Sequence, residues 1–159
     1  MADIRSDSCE PYCRLSNFYA HTFVLDGVVC ASMEGFLQSL KVKNPKKQLA
    51  IVSLTGKTAK KVHRRKLSSF WWRLTGKLYW QGVAYVRTSD AYQCLLDRAY
   101  AALNENEGFR LALRATGNEP LCHSIGKTDM RKTVLTEYEL ISRLVRLRDE
   151  NRIKEDQPL

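Results

Sequence analysis

The segment HTFVLDGVVCASMEGFLQSLK (21–41) constrains the fold of this chain more than any other stretch. Asp26-Gly27 is a pair that tolerates the positive φ angles of a tight turn, and β-prone residues flank it on both sides. The chain must therefore reverse there as a hairpin. Just beyond it, Ser32 is suited to cap a helix N-terminus, and Met33, Phe36, Leu37 and Leu40 follow at helical spacing. Pro45, preceded by Asn44, should end that helix, because proline has no N–H to donate and crowds the turn before it.

Residues 46–54 and 56–67 read as two short helices separated by Gly56, the second strongly basic. The stretch SSFWWRLTGKLYWQGVAYVR (68–87) is aromatic, punctuated by glycine, and has no decisive period. From Asp90 the pattern is helical again: Tyr92, Leu95, Leu96, Ala99, Tyr100 and Leu103 recur on one face, with Gly108 as the stop. FRLALRAT (109–116) predicts a short helix with Gly117 at its C′ position. Thr136 and Glu139 form a capping box that opens a last helix, with Tyr138, Ile141, Leu144 and Val145 toward the core. The sum is an α+β fold, a predominantly α-helical single domain with a small antiparallel hairpin or sheet. The domain is expected over 14–150, with a flexible N-terminus (1–13) and a C-terminal tail (151–159).

Charge is distributed unevenly. Between Glu34 and Asp90 there is no acidic residue, yet that stretch holds 13 of the 26 lysines and arginines, so the field there favours polyanions. Lys57, Lys60, Lys61, Arg64 and Arg65 are the candidate phosphate or nucleic-acid contacts. No apolar run approaches the ~20 residues of a membrane span, and no secretory signal opens the chain, so a cytoplasmic protein without a membrane partner is expected. Five cysteines without a CxxC and three scattered histidines predict free thiols, no metal and no cofactor.

On a helix wheel Glu34 and Lys41 lie about 20° apart and roughly 10 Å along the axis, with Gln38 between them. A stripe of that kind is either a solvated face or a reactive one. Asn17, Phe18 and Tyr19 offer an amide and two ring faces to a base or a ribose. Trp71, Trp72 and Trp80, near Arg73 and Lys77, are candidates for stacking. The loop ATGNEPLCHSIGKTD (115–129), with His123, Gly126 and Asp129, is of a composition that holds phosphate on backbone N–H groups, though it lacks P-loop spacing.

Taken in order, these stretches resemble the NADAR (NAD- and ADP-ribose-associated) superfamily. The landmarks are Leu15-Ser16-Asn17-Phe18-Tyr19, then Asp26-Gly27, then Ser32-Met33-Glu34 and Gln38-x-x-Lys41. A basic Gly-Lys-x-x-Lys helix, a Trp/Arg-bearing segment that includes Arg87, and a last helix with LxxLR follow, so the likeness covers roughly 14–148. Two departures stand out. Gly35 occupies a position where many members have His or Ala, and HSIGKTD replaces an Asp-x-x-Trp-Gly motif of the late loop.

The resemblance implies an N-glycosidase that cuts between ribose C1″ and an exocyclic amine. The implied substrates are ADP-ribose on the guanine amino group, in nucleic acid or nucleotides, or phosphoribosylamino-pyrimidine intermediates of riboflavin synthesis. Glu34 and Lys41 would be catalytic, and Asn17, Phe18, Tyr19, Gln38, Trp72, Trp80, Arg87, His123, Gly126 and Asp129 would contact substrate. In one route a neutral Lys41 displaces the amine through an imine. In the other Glu34 activates water and Lys41 only holds the sugar. Glu34, in the first helical turn, is expected to be kept ionised by the helix dipole. A module that binds ADP-ribose or nucleic acid without turnover is the competing class.

Overall fold

In a computed structural model, which describes residues 1–64 and 67–157, the chain opens with β1 (Ala2–Asp3) and a 3-10 turn (Tyr12–Leu15). The hairpin β2 (Phe23–Leu25) and β3 (Val28–Cys30) leads into α1 (Met33–Ser39), α2 (Pro45–Val52), α3 (Gly56–Lys61) and α4 (Leu67–Thr75). A second hairpin, β4 (Lys77–Trp80) and β5 (Val83–Val86), precedes α5 (Asp90–Leu103) and α6 (Glu107–Ala115), and β6 (Leu121–Cys122) and α7 (Glu137–Asp156) complete the order. The two hairpins are antiparallel, while β1 and β6 pair in parallel. The architecture is α+β, as the periodicities imply.

The core forms around α5, whose Tyr92, Leu95, Leu96, Ala99, Tyr100 and Leu103 are all buried. Ser89 starts that helix by accepting a hydrogen bond from the Tyr92 N–H at 3.2 Å. The two buried tyrosines tie it to distant loops: Tyr92 Oη donates to the Val134 carbonyl and Tyr100 Oη to Asn17 Oδ1. Phe36 of α1 meets Phe23 and Trp80 edge-on, so α1, β2 and β4 share one apolar layer.

Several local expectations are corrected by packing. The first residues are not a loose end: Ala2 and Asp3 pair with Leu121 and Cys122, and Ile4 is fully buried. The last helix reaches Asp156, well into the span expected as a tail. Its capping box is present, and Leu144 is buried with Ile141 and Val145 packed against the core as expected, but Tyr138 is exposed, and Leu140 and Leu147 complete the buried row. Gly108 lies inside α6, which Asn106 caps, and α5 has already ended at Leu103. The aromatic stretch 68–87 resolves into α4 and the second hairpin, whose turn residues Gln81 and Gly82 both take positive φ.

The first helix ends at Ser39 rather than running on toward Pro45. Its last carbonyls are already satisfied from outside: Gln48 Nε2 donates to Ser39 O at 3.2 Å, and the Tyr79 N–H donates to Leu40 O at 2.8 Å. Gln48 also bonds Tyr79 O and the Gln81 N–H, which fastens the second hairpin beside the helix end. Backbone groups with tertiary partners need no further helical turn.

Arg87 and Trp80, expected at the substrate, are structural. Arg87 is 2% exposed and forks onto both oxygens of Glu139 at 2.9 and 2.7 Å. Burial pulls the Glu139 carboxyl upward, but hydrogen bonds from Arg87, the Thr136 N–H and Gln93 outweigh it and hold the group below its usual range. Trp80 is core, with Nε1 donating to Asp26 Oδ2. Arg87→Leu, which strands a buried carboxylate, is expected to remove about 3–5 kcal/mol of stability. Urea unfolding followed by circular dichroism measures this, and a loss under ~1 kcal/mol would contradict it.

Gly35 has a packing reason. A Cβ there would lie 2.5 Å from the Leu54 carbonyl oxygen and 3.2 Å from those of Ile51 and Val52, so α1 rests directly on the end of α2. Gly35→Ala should cost about 1–3 kcal/mol in the same unfolding experiment, by forcing the backbones apart. The gain in helix propensity, ~1 kcal/mol, is too small to reverse the sign.

Candidate active site

Ser32 Oγ accepts the Gly35 N–H at 3.0 Å and donates to Leu54 O at 2.9 Å, which seats the start of α1 on the α2–α3 connection. The next N–H, that of Glu34, donates to Asn17 O at 2.9 Å, so the 15–19 loop lies across the helix end. Glu34 is 8% exposed, and its Oε1 accepts from Gln38 Nε2 at 2.8 Å. Lys41 lies two residues past the helix, in the turn that Gln48 and β4 impose. The wheel geometry therefore does not describe the pair. What unites Glu34 and Lys41 is a pocket of about 350 Å³ that both residues line.

Further wall comes from the N-terminal segment and the internal 123–136 loop. Asp3 accepts hydrogen bonds from the Ser124 N–H and Oγ, and His123 Nδ1 meets the Ile4 carbonyl at 2.6 Å. A carbonyl only accepts, so Nδ1 carries the proton in that bond. The turn from His123 to Gly126 is tight enough that a Cβ on Gly126 would lie 2.7 Å from the His123 ring and 2.8 Å from Glu137 Cβ.

The pocket gathers Asn17, Phe18, Gln38, Trp72, His123 and Gly126 from the sequence candidates. It leaves out Tyr19, whose ring stacks on His21 at 4.5 Å, and Asp129, which pairs with Arg131 and Lys132. Of the basic helix it takes only Lys60, whose ammonium sits 5.3 Å from the Phe18 ring. Lys57, Lys61 and Arg64 are exposed away from it, and Arg65 lies outside the described residues.

Four further cations line the pocket without having been singled out as contacts: Arg5, Arg73, Lys127 and Lys132. Arg73 and Lys127 stand beside candidates in sequence, but no local signal points to Arg5. Together with Lys41 and Lys60 they set six cations around one carboxylate.

Burial dominates the ionisation of both central groups. It pushes the Glu34 carboxyl above its ordinary range, against the Gln38 hydrogen bond and the Lys60 and Lys41 charges. The helix dipole expected to favour the ionised form is outweighed: desolvation of a nearly enclosed carboxyl is the larger effect and shifts Glu34 toward its protonated form. Burial likewise lowers the Lys41 ammonium to about 8; Glu34 opposes that shift, and Arg73, Lys127 and Lys60 add to it. Two buried polar atoms of this pocket, Gln38 Oε1 and Trp72 Nε1, have no hydrogen-bond partner among the described residues. The site can thus hold an anion, take or give a proton at Glu34, and present a neutral amine near neutral pH. Among the described residues no group of three or more His, Cys, Asp or Glu is placed to bind a metal ion, and no helix is long and apolar enough to cross a membrane.

Comparison with known proteins places this geometry in context. In fold the chain is similar to the E. coli protein YbiA, known from an NMR structure, with a TM-score of 0.60 at 18% identity over 100% of this chain and 91% of that one. At that identity the likeness shows a shared α+β fold. In sequence it is 41% identical over 149 residues to an uncharacterized 17.1 kDa protein from the Gp30-rIII intergenic region of Enterobacteria phage T4, covering 92% of this chain and 96% of that protein. The profile of the family described as bacteriophage protein GP30.3 matches residues 10–149. With nearly the whole domain inside that match, the chain belongs to the phage GP30.3 family.

Proposed function

We propose that this protein is an N-glycosidase that releases ADP-ribose from the exocyclic amine of guanine, in nucleic acid or nucleotides. The observation that carries the reading is the pairing of a buried carboxyl, Glu34, with a burial-lowered amine, Lys41, on a pocket otherwise ringed by cations. Of the other five cations, Arg5 is paired with Asp7 and Lys132 with Asp129, but Lys60, Arg73 and Lys127 form no salt bridge among the described residues, which suits the two phosphates of ADP-ribose better than a single phosphate ester. Gln38 Oε1 and Trp72 Nε1, an acceptor and a donor without protein partners, suit the hydroxyls of the ribose.

The chemistry begins with a glycosylamine that opens to an imine at C1″. Neutral Lys41 Nζ adds to C1″ and forms a new C–N bond, and Glu34 relays a first proton from that nitrogen to the guanine nitrogen. The bond from C1″ to the guanine amine then breaks with its electron pair going to the guanine nitrogen, and Glu34 relays the second Nζ proton to it, so the amine leaves neutral as NH2 and Lys41 is left as a neutral imine. Water adds to the resulting Lys41 imine and releases the sugar. With an ammonium near 8, about a tenth of Lys41 is neutral at pH 7, enough for turnover without a further activator.

The test is release of ADP-ribose, followed chromatographically, from an ADP-ribosyl-guanine oligonucleotide, from ADP-ribosyl-guanosine and from a phosphoribosylamino-pyrimidine. Release from the first two supports the reading. Binding of ADP-ribose without release from any of the three would sink it and leave a non-catalytic reader.

A further inference from the structure

Beside the reaction pocket runs a second hollow of about 400 Å³, and Lys41 and Trp72 line both. Its other walls hold Lys43, Lys47 and Lys77 with the rings of Trp71 and Tyr79. The three lysines are exposed, and among the described residues none of them forms a salt bridge or a side-chain hydrogen bond. No acidic side chain lines the hollow. Trp71 is 54% exposed and belongs to a stripe on α4 with Leu67, Phe70 and Leu74, all more than half exposed.

We propose that this hollow is the seat of a single-stranded nucleic acid flanking the modified guanine, so that the substrate is a polymer. The proposal deepens the glycosidase reading and rests on it for the position of the guanine. With ADP-ribose in the cationic pocket and C1″ at Lys41, the leaving base lies at the border that Lys41 and Trp72 share. The strand on either side of that base then meets free ammonium groups and open ring faces. Lysines as point charges neutralise phosphates, and the exposed Trp71 ring, with the half-buried Tyr79 ring, stacks on unpaired bases, which a duplex does not offer.

The surface cations that the sequence offers for this role, Lys57, Lys61 and Arg64, line neither hollow. A hollow on the far side, lined by Arg110, Arg114, Arg148 and Arg152, is a weaker rival. Its arginines are already tied to the Asn104, Glu119 and Gly117 carbonyls and to Glu155.

The test has two arms. In the first, fluorescence anisotropy reports binding of an unmodified labelled oligonucleotide of about ten nucleotides to the parent, to Trp71→Ala and to Lys43→Gln/Lys47→Gln/Lys77→Gln. Trp71→Ala should weaken binding about tenfold or more. The triple variant should make the dependence of log K on log salt shallower by about 2, at ~0.7 per single-strand phosphate. In the second arm, the ratio of kcat/KM for a modified oligonucleotide to that for the modified mononucleotide should fall at least tenfold in each variant.

Binding that depends on these residues, with no hydrolysis of any substrate, keeps the strand site and overturns the glycosidase. Hydrolysis with an unchanged ratio and an unchanged salt slope overturns the strand site and keeps the glycosidase. Tighter binding to duplex than to single strand, or binding to anionic vesicles with none to oligonucleotide, also overturns it.

Discussion

Lys41→Ala is expected to lower ADP-ribose release by roughly 10³–10⁵-fold, since it removes the nucleophile rather than a contact. Borohydride added during turnover should trap a reduced sugar–protein adduct in the parent and none in the variant. The pH profile of the parent gives a second readout. Addition requires the neutral amine, and burial places the Lys41 ammonium near 8, so the rate should climb with pH and level off above about 8. A full rate for Lys41→Ala, or turnover in the parent without a trappable adduct, would refute the imine route; the second outcome would favour water activated by Glu34.

The same lysine should leave a mark on stability. Its folded value lies below its unfolded 10.5, so between about 8 and 10.5 the unfolded chain binds more protons, and the parent gains stability as pH rises through that window. Below pH 8 the full cost of the buried ammonium remains. Lys41→Met should therefore be the more stable protein at pH 7, by on the order of 2–3 kcal/mol, with the gap closing toward pH 10.5. Unfolding midpoints across that range would show it, and a constant gap would argue that Lys41 is solvated.

Glu34→Gln should reduce turnover by about 10²–10⁴-fold, the usual worth of a positioned proton relay. The amide keeps the shape and can still hydrogen-bond Gln38, so the effect belongs in kcat more than in KM. Binding of ADP-ribose itself should survive, because the surrounding cations remain and one buried negative charge is gone. On stability the sign is the reverse of a cost. A carboxyl raised by burial weakens the fold as pH rises through its folded value, so the parent should lose stability relative to Glu34→Gln as pH passes up through the carboxylate range. A variant with parental kcat would remove Glu34 from the chemistry.

Much of the fold is legible because its signals close within a few residues. The Asp26-Gly27 turn, the Ser32 cap and the Thr136/Glu139 box each satisfy local backbone groups, and the structure keeps all three. The second hairpin is not legible in the same way. Gln81 takes φ 46° in its turn, and glutamine is not a residue that advertises positive φ. The early end of α1 is hidden for a different reason: Gln48 and Tyr79, which take its carbonyls, come from α2 and β4. The resemblance put Arg87 at the substrate, and its actual partner, Glu139, is 52 residues away, beyond the reach of any local pattern.

The candidate site divides along the same line. The helical pattern of Glu34, Gln38 and Lys41 left a solvated face and a reactive one both open, and it was the resemblance carried by these residues and Asn17 that singled out Glu34 and Lys41. What chemistry those groups can do was decided only by the fold. Arg5 and His123 reach the pocket through the pairing of β1 with β6, and Trp72 and Arg73 come from α4. That enclosure is what lifts the carboxyl and lowers the amine. Desolvation depends on which atoms replace water around a charge, and those atoms come from parts of the chain that no local pattern relates.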